Sequence, residues 1–249
     1  MLRKIFISIA VVMAAAAVWF GLWIQRLPDI EDLNKPDPGF SIKIKDVRGK
    51  TKDWAIGVKN YSWVSLTQIS PYLIDAVVAS EDDAFFQHEG FNLDEIKDAI
   101  KTDIKKKRFA RGASTITMQL ARNLYLSKEK TLTRKLKEAY LTYRLEKVLT
   151  KKRILELYLN MVEWGPGIYG IGEASEYYFG KSPLELNLKE ATLLAVILPN
   201  PRYYNPYIRM ASVEKRQNYL LERMLAEHDI QEIEYELTVA EPVELREKL

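Results

Sequence analysis

The sequence predicts a mainly α domain carried behind one membrane-spanning helix. Three observations predict it: an apolar run of twenty residues from Ile5 to Ile24, helical spacing of apolar residues after Pro71, and little strand-like alternation beyond residue 60. The 249 residues leave room for one sizeable domain and a short appendage. Hydrophobic residues at 47% and charged residues at 29% belong to a folded chain, not a disordered one. The absence of cysteine excludes a disulfide framework, thiolate metal sites and a cysteine nucleophile.

The elements follow in order. In the run Ile5 to Ile24 only Ser8 is clearly polar. As a helix it spans roughly 30 Å, the thickness of a bilayer's hydrocarbon core. Trp19, Phe20 and Trp23 sit at its far end, where aromatic rings favour the headgroup level. A cleaved signal peptide is the rival, since Ala14 to Ala17 offers small residues. The apolar run continues for seven residues beyond Ala17, which favours an uncleaved anchor. Positive-inside counting sets Arg3 and Lys4 against Arg26 and Lys35, so charge alone does not orient it. Residues 28–60, with Pro28, Pro36, Pro38 and Gly39, read as a linker leading into extended pieces at Ser41–Val47 and Asp53–Val58. The folded domain is expected over residues 61–249, behind an anchor at 1–27. Within it Tyr72, Leu73, Ala76, Val77 and Ser80 have helical spacing. So do Leu93, Ile96, Ile100 and Ile104; Leu132, Leu136, Ala139, Tyr140 and Tyr143; and the segment Ile154 to Val162.

The net charge of +3 hides an asymmetry. From Lys97 to Arg153 the chain carries 18 Lys and Arg against 5 Asp and Glu, while the remainder carries 19 against 29. A basic segment in an acidic frame calls for an anionic partner: phosphate, nucleic acid or a membrane surface. The apolar N-terminal run favours the membrane over nucleic acid. The cluster Lys101 to Arg111 is expected to lie against anionic lipid.

Three stretches carry chemistry. In Glu81-Asp82-Asp83-Ala84-Phe85-Phe86-Gln87-His88-Glu89-Gly90 a helix runs into three carboxylates, an aromatic pair and a histidine. Crowding and partial desolvation would raise a carboxylate's pKa toward that of a useful general base. A solvated acidic helix end is the plain alternative, and a lone histidine is more often structural. Next, Gly112-Ala113-Ser114-Thr115 reads as a turn opening a helix that continues through Gln119 and Arg122. Free N–H groups and hydroxyls there would make an anion cradle, or simply a capped helix. Last, Arg134 and Lys135 stand four and three residues before Glu138, so the three meet on one helix face. That suits Glu138 to electrostatic or metal-binding work, unless the trio is an exposed salt bridge worth under about 1 kcal/mol.

Taken together, the motifs resemble glycosyltransferase family 51, the peptidoglycan transglycosylases. The resemblance rests on Glu81-Asp82, Phe85, His88 and Gly90; on Gly112, Ser114-Thr115-Ile116-Thr117 and Gln119-Leu120-Ala121-Arg122-Asn123; and on Arg134-Lys135 with Glu138. It continues through Arg153-Ile154-Leu155-Glu156-Leu157-Tyr158-Leu159-Asn160, Tyr178-Phe179-Gly180-Lys181, Glu190 to Ala195, and Leu198 to Pro206. It covers about residues 65–207, and the length with a single anchor resembles the monofunctional biosynthetic members.

The resemblance implies a lysozyme-like helical lobe, a smaller membrane-apposed lobe, and a reaction at the outer face of the bacterial plasma (inner) membrane. A lipid-pyrophosphate-linked glycan chain would be transferred to the GlcNAc 4-hydroxyl of lipid II, with inversion and loss of undecaprenyl pyrophosphate. Glu81 matches the proposed general base. Glu138 matches a second essential carboxylate that helps the pyrophosphate leave, directly or through a divalent metal such as Mg2+ or Mn2+; no organic cofactor is implied. Arg122 and Lys130 align with positions that contact the pyrophosphate, while Ser114, Thr115, Gln119, Arg134 and Lys135 line or support the same cleft. Lipid II, the nascent glycan and other cell-wall synthesis or division proteins are the implied partners. Ala113, Met118 and Arg122 stand where the family usually has glycine, glutamine and lysine. A lysozyme-like hydrolase and a non-enzymatic anchored scaffold are the alternatives. A penicillin-binding transpeptidase is not supported: Ser127 with Lys130 and Ser212 with Lys215 both fit Ser-x-x-Lys, with no Lys-Thr-Gly beside them.

Overall fold

A computed structural model describes residues 2–25, 30–39, 41–46, 48–106, 114–126 and 131–247. The apolar N-terminal run forms α1 (Leu2–Ile24), long and apolar enough over Arg3–Ile24 to cross a membrane, with none of that window buried. Its last turns meet the folded domain. The Phe20 ring sits edge-on to Tyr140 at 5.3 Å, and Lys137 Nζ lies 4.1 Å and 4.4 Å from the Trp19 and Trp23 rings.

The stretch after the anchor is strapped to the domain, not free of it. Ile30 and Leu33 are buried in the core. Arg153 donates from Nε to the Leu33 carbonyl and from Nη2 to the Lys35 carbonyl, each at 2.7 Å. The extended pieces pair as an antiparallel hairpin, β1 (Ser41–Lys45) with β2 (Thr51–Ala55), running from Ser41↔Ala55 to Lys45↔Thr51. The second strand begins and ends two to three residues earlier than the sequence suggests. Asp46 Oδ1 gathers the N–H groups of Arg48 and Lys50 into a tight turn, which launches β2 at Thr51. Gly57 then turns at φ +98, where a Cβ would lie 2.1 Å from the Pro36 carbonyl oxygen, and stops it.

Local signals open several of the helices. α2 (Pro71–Glu81) opens on proline at its first position. α3 spans Leu93–Lys106. α4 (Ile116–Tyr125), α5 (Leu132–Val148) and α6 (Lys151–Met161) each start behind a threonine whose hydroxyl accepts a backbone N–H: Thr115, Thr131 and Thr150. A short hairpin that alternation does not reveal, β3 (Glu163–Gly165) with β4 (Ile168–Tyr169), leads into α7 (Ile171–Phe179). α8 (Leu188–Ile197) is buried on every face and packs on α2 and on α9 (Pro206–Ala226). A helix buried on every face, with its charged pair Lys189 and Glu190 confined to the first turn, belongs at the centre of a core. α10 (Glu232–Ala240) closes against α9. α4 packs on both α5 and α6.

Candidate active site

α2 ends at Glu81 because Asp82 is extended, at φ −168, though its N–H still bonds to the Val78 carbonyl. Asp82 is then turned inward and buried. Its Oδ2 accepts the Ile116 N–H at 3.0 Å, the first residue of α4, where the helix dipole favours a negative charge. Its Oδ1 lies 2.8 Å from His88 Nε2. The Gly90 N–H donates to His88 Nδ1 at 3.0 Å, which leaves the ring proton on Nε2 to face Asp82. Thr115 closes the ring: its hydroxyl donates to the Gly90 carbonyl at 2.7 Å and accepts the Met118 N–H at 3.2 Å. Gly90, at φ +86, could carry no Cβ without meeting Thr142 Cγ2 at 2.8 Å and Glu146 Cγ at 2.9 Å on α5. Glu81 is thereby locked in place relative to the first turns of α4.

Gln119 is the α4 residue that Glu81 meets. Its Nε2 donates to Glu81 Oε2 at 2.7 Å and more weakly to the Ser114 carbonyl at 3.4 Å. Glu81 Oε1 is buried with no hydrogen-bond partner among the described residues. Burial raises the Glu81 pKa; the Gln119 bond and the charges of Arg216 and Arg122 pull it back, and Asp82 pushes it up again. A net upward shift suits a general base. The acidic triplet does not act as one cluster. Asp82 faces α4, and Asp83 pairs with Arg223 at 2.8 Å. Of the aromatic pair, Phe85 is in the core and Phe86 is exposed.

The Glu138 carboxylate is fully buried on α5, with Arg134 Nη1 on Oε2 and Lys135 Nζ at 2.5 Å from Oε1. The spacing read from the sequence therefore brings these three together. Arg134 Nε is itself a buried donor without an acceptor among the described residues. As for a divalent metal, both oxygens of Glu138 are already taken by cations, and no group of three His, Asp or Glu converges among the described residues. Hard divalent cations want several oxygen ligands. The donors around Glu138 do not fit a resident metal.

The remaining expected site residues divide. Gln119 and Arg122 face Glu81 from α4. Thr115 is buried with its hydroxyl fully engaged, so it supports the site and lines nothing. Ser114 offers its backbone carbonyl to Gln119. Lys130, with Gly112 and Ala113, lies outside the described residues, as do residues 107–111 of the basic cluster. Two contributors carried no assigned role in the sequence. Tyr158, on α6, is fully buried and donates to Gln119 Oε1 at 3.3 Å. Arg216, on α9, is held over the Tyr204 ring at 4.5 Å and donates to the Val196 carbonyl at 3.2 Å, which aims its charge at Glu81. Tyr158 lies inside a motif; nothing local in the sequence marks Arg216.

Comparison with known proteins shows which family the chain resembles. The family model described as Transglycosylase matches residues 49–225. A biosynthetic peptidoglycan transglycosylase of Chromobacterium violaceum is 38% identical over 224 residues, covering 90% of this chain and 97% of its own. One of Nitrosomonas europaea is 46% identical over 166 residues, 67% of this chain and 68% of its own. Penicillin-binding protein 1A of Aquifex aeolicus is 38% identical over 224 residues, but this chain spans only 31% of its length. The crystal structure of penicillin-binding protein 1A from Haemophilus influenzae aligns over 83% of this chain and 21% of that one, at 24% identity and a TM-score of 0.45. With the family model matching well over half of its length, the chain belongs to the transglycosylase family, the glycosyltransferase family that its motifs resemble.

Proposed function

We propose that this enzyme polymerises peptidoglycan glycan from lipid II at the outer face of the bacterial plasma membrane, anchored there by α1. The 4-hydroxyl of the acceptor's GlcNAc attacks the anomeric carbon of the lipid-linked donor chain. The bond from that carbon to the pyrophosphate oxygen breaks, and the sugar is inverted. The hydroxyl proton passes to Glu81 Oε1, and undecaprenyl pyrophosphate leaves as an anion.

The observation that carries this reading is the buried Glu81 Oε1, which has no partner among the described residues, beside a carboxylate oxygen already claimed by Gln119. One oxygen is held, and the other is free to take a proton. The leaving group carries its own negative charge, so it needs fixed cations more than a proton donor. Arg122 and Arg216 flank the base, and Glu138 holds Arg134 and Lys135 in fixed positions on the neighbouring helix. The divalent metal the family resemblance allows is not needed for this account. Lipid II and the nascent glycan are the substrates; other cell-wall synthesis or division proteins are the natural partners.

The test is to incubate the detergent-solubilised full chain with labelled lipid II. Glycan polymer with release of the lipid pyrophosphate is the expected result. Soluble muropeptides cut from purified sacculi, without polymer, would assign a hydrolase instead.

A further inference from the structure

We propose that Tyr158 is a positioning residue: it holds the Gln119 side-chain amide one way round, so that Glu81 faces the same N–H donor before and after it takes up a proton. Only the activity readout of this proposal rests on the polymerase reading above.

The argument starts from the two ends of an amide. Gln119 presents Nε2 to Glu81 Oε2 at 2.7 Å and Oε1 to the Tyr158 hydroxyl at 3.3 Å. Rotating the amide by half a turn would exchange donor and acceptor at both ends. While Glu81 is ionised, that rotation is opposed twice: a carbonyl oxygen would face a carboxylate, and the phenol would lose its acceptor. A proton taken up by Glu81 is not confined to Oε1, and when the acid carries it on Oε2 the opposition at that end disappears. A carboxylic acid can donate to a rotated amide oxygen, and that new bond would reward the protonated state. Among the described residues only Tyr158, and the longer contact from Nε2 to the Ser114 carbonyl at 3.4 Å, then keep the amide in place.

Tyr158 is suited to the task. It is fully buried, so its hydroxyl cannot turn to water, and a buried phenol must find an acceptor. Burial holds its pKa well above the ordinary phenol range, with the Glu81 charge adding to the effect, so it remains a donor through the neutral range. Among the described residues the other charged or titratable groups acting on Glu81 are Asp82 beside it, Arg122 on α4 and Arg216 on α9. Each changes the field at Glu81, but neither a point charge nor a field decides which way an amide faces. By denying the protonated acid a better partner, Tyr158 makes the proton easier to give up again. The base is then restored for the next sugar.

Tyr158→Phe removes the hydroxyl and keeps the ring. A hydrogen bond of ordinary net worth predicts activity about five- to tenfold lower on the acid side of the pH profile, with the neutral plateau and the KM for lipid II unchanged. A loss equal at every pH would mean that Tyr158 only packs, and no change at all would also overturn the proposal. Carboxyl infrared bands of the full chain in detergent, taken as a difference against Glu81→Gln, read the same shift without turnover. Glu81 should protonate at a higher pH in Tyr158→Phe. In a Gln119→Met background the substitution should add nothing; a shift that persists there would mean that the phenol acts on Glu81 directly. If no form of the protein made polymer while the infrared shift appeared, the polymerase reading would fail and the positioning role would stand.

Discussion

Glu81→Gln and Glu138→Gln are one chemical change made in opposite surroundings, and they should move stability in opposite directions. Glu81 has a raised pKa in the folded protein because burial disfavours its charge. For a carboxylate shifted upward, the favourable contribution to folding is fully present only below the unfolded pKa and is lost as pH rises through the folded one. Near neutral pH the charge therefore sits at a net cost. A buried polar atom without a partner costs about 1–3 kcal/mol, and a neutral amide would recover roughly 1 kcal/mol of that. For a domain of this size that is about 2–4 °C in unfolding midpoint, upward. Glu138 is fully buried with a cation on each oxygen. Breaking a fully buried pair costs about 3–5 kcal/mol. Here the side chains of Arg134 and Lys135 keep 17% and 45% of their exposure, so water screens part of the loss. About 1–3 kcal/mol remains after that screening, a downward shift of several degrees. Thermal unfolding of the full chain in detergent reads both, at neutral pH and again below the ordinary carboxylate range, where the Glu81→Gln gain should shrink. Both variants should lose at least about 100-fold in lipid II polymerisation. A Glu81→Gln protein that unfolds earlier than the parent at neutral pH would refute the reasoning, because its free oxygen would then have a stabilising partner.

Two further substitutions test the scaffold and the field. Gly90→Ala must adopt a strained backbone and press a methyl group on Thr142 and Glu146; it should lower the unfolding midpoint by an amount that matches about 1–3 kcal/mol, with activity falling alongside. A loss of activity with an unchanged midpoint would show that the Gly90 turn has a direct role in binding. Arg216→Gln removes a charge that favours ionised Glu81, so the acid side of the activity profile should move to higher pH. Arg216→Lys should restore part of that move; a profile identical in all three proteins would take Arg216 out of the site.

Much of the site was legible because it is local. Glu138 with Arg134 and Lys135 follows from helical spacing alone, and the structure puts all three on one face of α5. Thr115 as a helix opener was legible for the same reason. What sequence could not show is which face of a motif looks inward. Glu81, Asp82 and Asp83 are adjacent in the chain, yet one faces Gln119, one caps α4 and one pairs with Arg223 on α9. A helix terminus between them sends successive side chains in different directions, and no spacing rule anticipates that. The straps were hidden too. Residues 30–35 have linker composition, and their attachment depends on Arg153, more than a hundred residues away. Arg216 is the extreme case, since it reaches the base only because α8 and α9 fold back over α2.

The charge count is where local reading overstates most. The segment Lys97 to Arg153 is strongly basic, and the sequence alone spends all of that charge on an anionic partner. In the folded chain much of it is spent internally: Lys97 on Asp94, Lys101 on Asp98, Arg144 on Glu31, Lys147 on Glu89, Lys151 on Glu146, Arg153 on Glu156. Lys137 rests on the indole rings at the end of α1. These contacts tie the anchor, the strap and the helices together, and most are exposed pairs worth little individually. Among the described residues the cations that act on Glu81 are Arg122 and Arg216, and only the first belongs to the basic segment. Arg134 and Lys135 are held by a buried carboxylate that fixes their position while cancelling only one of their two charges. A leaving pyrophosphate is stabilised by charge already in place, since cations that must be gathered during the reaction spend that stabilisation on reorganisation. On the proposed reading, Glu138 would serve the chemistry by immobilising its neighbours, and its removal should cost activity even where both cations remain.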